Sequence, residues 1–376
     1  MKVVIDDKIP YLDGVLDSRA KVVFAPGSRI SSDLVKDADA LIIRTRTICN
    51  GKLLKGSRVK FIATATIGYD HIDTEYCAKE GITWVNAPGC NAESVNQYIA
   101  SALFSYALRR RFRLRDKTIG IVGVGNVGSR IEKLCRILGM NVLLNDPPRQ
   151  RAEGPDNFVS LEIIQGRADI ISLHVPLTMN GPDATNQMVD EDFLREITRK
   201  PLLINACRGE VVNSAAAAEA IYSGNISGFI ADCWENEPVP DIGFINLSDY
   251  ATPHIAGYSR DGKANGTAMS VRALSQYFNL GLNKWFPESI EEPANNLIEI
   301  NGSQRDEESV LAEAILSTYD IEADDELFRE NPHNFEKLRG NYPVRREFDS
   351  YTIKATKVKP ETIKKFKNLG FKVISV

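Results

Sequence analysis

The fold of this chain is decided by one stretch, TIGIVGVGNVGSRIEKLCRILGMNVLLNDP, which runs from Thr118 to Pro147. Its start, Ile119–Val122, predicts a buried strand, and Gly123-Val124-Gly125-Asn126-Val127-Gly128 follows directly. Apolar residues then recur at helical spacing as far as Gly139, which is suited to ending a helix. A second apolar run leads to Asp146. A strand, G-x-G-x-x-G, a helix, a strand and an acid within about 30 residues predict a dinucleotide-binding unit.

Each residue type in this motif has a physical reason. The first glycine permits a tight turn, the second lets the backbone approach a pyrophosphate, and the third lets the helix pack closely on the strand. Backbone N–H groups at the helix start then face the anion. The predicted cofactor contacts here are Gly123, Gly125, Asn126, Val127, Gly128 and Asp146. Because Asp146 accepts hydrogen bonds from ribose hydroxyls and repels a 2′-phosphate, the predicted cofactor is NAD rather than NADP.

Length and composition set limits on the remaining possibilities. A chain of 376 residues is expected to form two or three domains. The formal net charge of −4 carries no long runs of one sign, so no nucleic-acid or membrane surface is predicted. The start of the chain lacks the pattern of a signal peptide. No apolar stretch approaches the ~18 residues that a membrane-spanning helix needs, so no membrane span is predicted. The six cysteines are scattered, which predicts neither zinc nor disulfides and favours a reducing cytoplasm.

Strand and helix patterns alternate on both sides of the opening motif. Residues 2–92 predict a small parallel α/β sheet, and residues 117–256 predict a second one. A long helix at about 261–280 follows the second sheet and is placed to return to the first domain. Residues 286–302 resemble a connector, and a third unit with two helices and two strands, the last at 372–376, completes the chain. The predicted class is therefore α/β with parallel sheets.

Polar stretches follow the later strands of the second sheet. Because the carboxyl ends of parallel strands meet at one edge, these groups are expected near the predicted cofactor site. They are His174-Val175-Pro176, Ala206-Cys207-Arg208-Gly209, Asp232 to Pro238, and Thr252-Pro253-His254-Ile255-Ala256-Gly257. In the first sheet, two strand ends carry Arg44 to Thr47 and Thr64 to Gly68. These two segments fit a ligand site and ordinary solvated loops about equally well.

Hydride transfer from an alcohol needs a base, a cation that holds the substrate, and a pocket that aligns the reactants. Of the four histidines, His254 is the best candidate base because it follows a strand end. The alternative is that His254 is an ordinary loop residue without a catalytic role. His71 is interpreted as structural and His333 as a surface residue. His174 is expected to line the cofactor cleft through its backbone. An arginine suits the role of the cation that holds the substrate, because its planar guanidinium matches the geometry of a carboxylate.

These motifs, in this order, resemble the signature of the D-2-hydroxyacid dehydrogenases. The resemblance spans most of residues 86–257. It implies a Rossmann NAD-binding domain inserted in a flavodoxin-like substrate domain, with boundaries at 1–92 and 257–285 for the substrate domain and 93–256 for the NAD domain. It also implies that Arg208, Glu237 and His254 are the catalytic residues. Further cofactor contacts implied by the resemblance are Val175, Ala206, Cys207, Arg208, Asp232 and Gly257.

A narrower resemblance points to a branch of the family that acts on a small phosphorylated 2-hydroxy acid. The stretches that carry it are Asn86 to Ala92, Asn145 to Arg149, Ile204 to Gly209 and His254 to Ser259. It implies substrate contacts at Thr45, Thr66 and Tyr258, with a phosphate near Arg44, Thr45 and Arg46. Residues 286–376 then match a C-terminal α/β dimerisation domain, which implies a homodimer. Two departures are Thr45, where this branch more often has serine, and Cys233, where many relatives have valine.

Two other functions remain open at this point. One is another D-2-hydroxyacid dehydrogenase, such as one acting on 3-phosphoglycerate, in which the third unit is a regulatory effector domain. The other is a non-catalytic, NAD-sensing regulator of the same fold. Such relatives can keep the Arg–Glu–His set, although no peptide-binding or targeting feature is identified in this sequence.

Overall fold

The computed structural model describes residues 1–375, and its elements follow the predicted alternation. The strands are β1 Lys2–Asp6, β2 Lys21–Ala25, β3 Ala40–Ile43, β4 Phe61–Thr64, β5 Thr83–Val85, β6 Thr118–Val122, β7 Asn141–Asn145, β8 Ile170–Leu173, β9 Leu202–Asn205, β10 Gly228–Ala231, β11 Tyr250–Ala251, β12 Leu297–Asn301, β13 Thr352–Thr356 and β14 Lys372–Ser375. The last predicted strand residue, Val376, lies outside the described residues.

The α-helices are α1 Ser32–Val35, α2 Gly51–Leu54, α3 Thr74–Lys79, α4 Ala92–Arg110, α5 Gly128–Leu138, α6 Pro147–Glu153, α7 Leu161–Arg167, α8 Glu191–Arg195, α9 Ser214–Tyr222, α10 Ile242–Leu247, α11 Arg260–Phe278, α12 Glu307–Leu316, α13 Ile321–Glu330, α14 Phe335–Gly340 and α15 Pro360–Leu369. Among the described residues, none of these helices is both long enough and apolar enough to span a membrane.

The chain divides into two compact units. Unit 1 comprises Met1–Asn91 and Ser259–Glu291, and unit 2 comprises Ala92–Tyr258 and the residues from Glu292 onward. Helix α11 therefore belongs to unit 1 although it follows the second sheet in sequence. The C-terminal residues share a unit with the dinucleotide motif. The division into a substrate domain, an NAD domain and a C-terminal domain remains a prediction.

Unit 1 is built on a five-stranded parallel sheet in the order β2-β1-β3-β4-β5. Both β3 and β4 are buried along their whole length, as apolar runs in a sheet covered on both faces should be. Helix α11 packs against β4. Gly266 permits this approach, because a Cβ there would lie 2.6 Å from the Ala65 carbonyl oxygen.

Unit 2 contains a six-stranded parallel sheet in the order β11-β10-β9-β8-β6-β7. The chain passes from β6 to β7 on one side and then to β8 on the other, so the strand order reverses at β6. Ligands of open parallel sheets bind beyond the carboxyl ends of the strands at such a reversal. The glycine-rich motif lies at that point, because it follows β6 directly. The predicted α/β class with parallel sheets is confirmed.

A second, three-stranded parallel sheet in unit 2 has the order β12-β13-β14. The prediction of a connector at 286–302 is wrong for its last part, because Leu297–Asn301 forms β12 with alternating exposed and buried residues. The run is only 5 residues long and follows a Pro/Asn-rich segment, so its period was obscured. Residues of this C-terminal part, including Ile300 and Ile353, join the same hydrophobic core as α4 and β6.

Candidate active site

The glycine-rich loop has the geometry that its sequence predicts. Gly123 has a φ of +85°, and a Cβ there would meet the backbone of His174 at 2.7 Å. A Cβ on Gly128 would lie 2.0 Å from the Gly123 carbonyl oxygen, so only glycine lets α5 begin this close to β6. A Cβ on Gly125 would meet nothing within 4 Å, which leaves space for a ligand to approach the backbone. No side chain among the described residues caps the start of α5.

Asp146 joins this loop to the second strand of the motif. One carboxylate oxygen accepts from the Val124 amide at 2.8 Å, and the other accepts from the Arg149 amide at 3.0 Å and caps α6. The Arg149 guanidinium donates to the Val124 carbonyl and forms a bidentate pair with Glu153 at 2.6 and 2.8 Å. The carboxylate is thus held at the edge of the loop where an adenosine ribose would lie.

Two further predicted cofactor contacts border the loop. The Val175 side chain would be 2.9 Å from a Cβ on Gly123, so it lines the first glycine. The preceding His174 has its Nε2 2.8 Å from the Ser172 hydroxyl, and burial lowers the pKa of its imidazole to about 3. His174 is therefore neutral at pH 7, which agrees with a role for its backbone rather than for its charge.

Arg208 is presented by a sharp turn after β9. The Asn205 side-chain amide donates to the Arg208 carbonyl at 2.9 Å, and its side-chain oxygen accepts from the Cys207 amide at 3.2 Å. Gly209 lies against the backbone of Trp234, because a Cβ there would be 1.9 Å from the Trp234 carbonyl. This close contact brings the loop after β9, which includes Ala206, beside the loop after β10.

The loop after β10 contains Glu237, which is paired with His254 from the loop after β11. Glu237 Oε2 lies 2.7 Å from His254 Nδ1, and Glu237 Oε1 accepts from the Trp234 amide at 2.9 Å. Burial raises the pKa of Glu237, but attraction and hydrogen bonding from His254, the Trp234 amide and Arg339 outweigh it and leave the pKa lowered. The carboxylate can only accept, so Nδ1 carries the hydrogen and Nε2 has the lone pair that a general base needs.

Asp232 supports the loop that carries His254. Its Oδ1 accepts from the Thr252 hydroxyl and the Ile255 amide, both at 2.7 Å, and its Oδ2 accepts from the Ala256 amide at 2.9 Å. Asp232 is only 1% exposed, and burial raises its pKa against the effect of His254 and these donors. Asp232 therefore fixes the path of residues 254–256, a role that the sequence did not predict.

Ligand atoms of Cys233, Glu237 and His254 lie within 4.8 Å of one another, close enough to share a metal ion. Burial and the adjacent Asp232 and Glu237 raise the pKa of the Cys233 thiol well above its ordinary value. A metal needs the thiolate. His254 Nδ1 is already engaged by Glu237. The arrangement suits proton transfer better than metal binding.

Two arginines that the sequence analysis did not single out reach the His254 loop from the C-terminal part of unit 2. Arg339 donates to the His254 carbonyl at 3.3 Å, and its guanidinium lies 5.3 Å from the centre of the Tyr258 ring. Arg345 donates to the Ile255 carbonyl at 3.1 Å and also to the Ala256 carbonyl. No local pattern in the sequence relates residues about 85 positions apart.

In unit 1, the predicted substrate contacts lie at the carboxyl ends of neighbouring strands. Thr45 is exposed after β3, beside Arg44, whose guanidinium donates to the Lys8 carbonyl at 3.3 Å. Thr66 follows β4, and its hydroxyl is 2.7 Å from that of Thr64 and 3.0 Å from the Gly68 carbonyl. His71 Nε2 is 3.0 Å from the Thr64 hydroxyl, and burial lowers the His71 pKa to about 4.

The chain matches two family models. Residues 91–256 match the D-isomer specific 2-hydroxyacid dehydrogenase, NAD binding domain, and residues 290–370 match a domain of unknown function, DUF3410. An erythronate-4-phosphate dehydrogenase of Bacteroides thetaiotaomicron is 48% identical over 354 residues, which cover 94% of this chain and 99% of the relative. One of Edwardsiella ictaluri is 40% identical over 356 residues, which cover 94% of both chains.

Solved structures agree on the fold. The D-lactate dehydrogenase of Aquifex aeolicus, complexed with NAD and lactic acid, has a TM-score of 0.62 at 25% identity and covers 75% of this chain and 97% of its own. The NAD⁺-bound 3-phosphoglycerate dehydrogenase of Entamoeba histolytica has a TM-score of 0.63 at 24% identity and covers 77% of this chain and 99% of its own. At that identity the second likeness concerns the fold alone.

Proposed function

We propose how the residues of this chain carry out catalysis, since the chain belongs to the D-isomer specific 2-hydroxyacid dehydrogenase family. Its activity is that of an NAD-dependent erythronate-4-phosphate dehydrogenase. The reaction oxidises 4-phospho-D-erythronate to (R)-3-hydroxy-2-oxo-4-phosphooxybutanoate, a step of vitamin B6 cofactor biosynthesis in this branch of the family. The observation that carries this function is the similarity to erythronate-4-phosphate dehydrogenases over 94% of the chain, which includes the C-terminal part.

The glycine loop and Asp146 fit NAD. The open space at Gly125 and the uncapped start of α5 suit a pyrophosphate, and the Asp146 carboxylate suits a ribose diol. NAD held by these residues would supply the acceptor for the hydride that leaves C2 of the substrate. We assign the remaining cofactor contacts to Val175, Ala206, Cys207, Arg208, Asp232 and Gly257, as the family resemblance implies.

The proton of the C2 hydroxyl is taken by His254. Its Nε2 is the basic atom because Nδ1 donates to Glu237, and the carboxylate stabilises the imidazolium that forms. As the C2–H bonding pair leaves as hydride, the O–H pair becomes the second C–O bond of the 2-oxo acid. One hydride and one proton leave the substrate in each turnover.

Arg208 holds the substrate carboxylate and polarises the developing carbonyl, because its planar fork matches two oxygens. Thr45, Thr66 and Tyr258 are the proposed substrate contacts. Arg44 and Arg46 flank Thr45 and supply the positive charge that a phosphate needs.

The assembly is proposed to be a homodimer formed through residues 286–376, and the enzyme is proposed to be cytoplasmic. The family resemblance supports the dimer, because it implies a dimerisation role for the segment that includes the DUF3410 match at residues 290–370. The scattered cysteines support the reducing compartment. Light scattering of the full chain tests the dimer, and a monomeric mass at micromolar concentration contradicts it.

Turnover on three substrates separates this function from its alternatives. The enzyme is assayed with 4-phospho-D-erythronate, 3-phosphoglycerate and an unphosphorylated 2-hydroxy acid, with excess NAD and a 2-oxo acid that reoxidises retained NADH. Fastest turnover of 4-phospho-D-erythronate is expected. Preference for 3-phosphoglycerate supports the alternative dehydrogenase, and no turnover of any substrate supports the NAD-sensing regulator.

A further inference from the structure

The loop that carries His254 has a backbone that needs outside support. His254 has a φ of +54°, in the left-handed region that a residue with a side chain rarely adopts. Such a conformation persists only where surrounding contacts determine it. The position of His254 Nε2 therefore depends on what holds the loop.

The loop is held from two sides. On the amide side, the Asp232 carboxylate accepts from the Ile255 and Ala256 N–H groups. On the carbonyl side, Arg339 holds the His254 oxygen, and Arg345 holds the oxygens of Ile255 and Ala256. Three consecutive carbonyls of the loop thus accept from two arginines of the C-terminal part of the chain.

Arg345 is the more deeply buried of the two arginines. It is 4% exposed, and its guanidinium lies 4.5 Å from the centre of the Tyr319 ring and 5.6 Å from that of Tyr342. It also donates to the hydroxyl of Ser94 at the start of α4. Removal of this side chain would leave several buried groups without a partner, so Arg345 is a poor site for a functional test.

Arg339 also lies on the carbonyl side of the loop and contacts two groups that the proposed reaction uses. Besides its bond to the His254 carbonyl, its guanidinium covers the ring of Tyr258, the proposed substrate contact, and that of Phe335. Its positive charge lowers the pKa of Glu237, and it forms a loose ion pair with Glu336 at 3.5 Å. One side chain thus touches the backbone of the base and the ring of a substrate contact.

We infer that Arg339 is a positioning residue for the reaction, through which the C-terminal part of the chain sets the orientation of His254 and Tyr258. This inference rests on the proposed function. It assigns to the segment that matches DUF3410 a direct part in the active site, in addition to any part in assembly. Arg339 acts through the loop and does not touch the reacting atoms.

The test compares Arg339→Met and Arg339→Lys with Lys337→Met, a control that removes the same charge from an exposed position of the same helix α14. The measurements are kcat and KM for 4-phospho-D-erythronate and the Kd for NAD. For Arg339→Met we expect kcat to fall roughly ten- to hundredfold, because a hydrogen bond from a charged donor to the base's backbone is lost. Arg339→Lys keeps the charge without the planar fork and should lose less. NAD affinity and the Lys337→Met control should stay within about twofold of wild type.

Wild-type kcat in Arg339→Met overturns the inference while leaving the proposed function intact. If Arg339→Met also loses NAD binding, the fold is affected and Arg339→Lys decides: a lowered kcat at unchanged NAD affinity supports the inference, and wild-type kcat overturns it. Absence of turnover in the wild-type enzyme overturns the proposed function and this inference together.

Discussion

Replacing Glu237 with glutamine should inactivate His254 by changing which of its nitrogens carries the hydrogen. Glu237 Oε1 accepts from the Trp234 amide at 2.9 Å, and Oε2 faces His254 Nδ1 at 2.7 Å. Because the Trp234 amide needs an acceptor, the glutamine oxygen should take the first position. The glutamine NH₂ then faces Nδ1 and donates to it, which moves the imidazole hydrogen to Nε2 and blocks proton abstraction.

The expected loss follows from the role of the base. A positioned general base contributes roughly 10²–10⁴-fold to rate, so kcat of Glu237→Gln should fall by about that range. Loss of the charge alone, at about 1.5–3 kcal/mol for a charge-assisted hydrogen bond, would lower the rate by roughly ten- to hundredfold. A fall beyond a hundredfold therefore indicates the tautomer change in addition to the lost charge.

The assay is steady-state oxidation of 4-phospho-D-erythronate with saturating NAD, with NAD affinity measured separately. Glu235→Gln is the matched control. Glu235 lies in the same loop, but it accepts from Gln187 at 2.7 Å and from the Ser214 amide at 2.8 Å, whereas the partner of His254 is Glu237. The control should keep kcat within about threefold of wild type. If Glu237→Gln also keeps kcat within that range and binds NAD normally, the assignment of the Glu237–His254 pair is wrong.

Three further measurements test the cofactor preference, the identity of the base and the protonation of two buried histidines. Asp146→Ala should lower the ratio of kcat/KM for NAD over NADP at least roughly tenfold, because the carboxylate that binds the ribose diol and repels a 2′-phosphate is removed; an unchanged ratio excludes that role. His254→Ala should lower kcat at least roughly a hundredfold with NAD affinity nearly unchanged, and retained turnover would show that another group is the base. Burial lowers the pKa of His71 to about 4 and of His174 to about 3, below the value of about 6.5 expected in the unfolded chain. The unfolded state binds more protons between those values, so each histidine should cost about 2 kcal/mol of stability between pH 7 and pH 5; urea unfolding measures this, and a pH-independent midpoint contradicts it.

The sequence predicts those parts of the structure that depend on local pattern. Apolar runs of four or five residues predict strands such as β3 and β8, and the glycine spacing predicts a loop whose φ and contacts the structure confirms. The β12 strand escaped prediction because Leu297–Asn301 alternates over only 5 residues, and pairing with β13 decides its structure. Local propensity is a weak guide where such distant contacts prevail.

The candidate site likewise has residues that the sequence predicts and residues that only the tertiary structure reveals. The family resemblance that the ordered motifs carry implies catalytic roles for Arg208, Glu237 and His254, and in the structure Glu237 Oε2 lies 2.7 Å from His254 Nδ1. Arg339 and Arg345 have no such signal, because an arginine that holds a carbonyl about 85 residues earlier looks like any charged residue in a helix or loop. The support that they give to the His254 loop follows from tertiary packing and could be found only in three dimensions.

The ratio of kcat/KM for 4-phospho-D-erythronate to that for 3-phosphoglycerate shows whether the site acts on a phosphorylated four-carbon 2-hydroxy acid. Both substrates carry a carboxylate, a C2 hydroxyl and a phosphate, so the ratio reports the distance between the groups that the site recognises. We expect a ratio of roughly a hundredfold or more in favour of 4-phospho-D-erythronate. A ratio near or below one, with NADH formed from 3-phosphoglycerate, would contradict it.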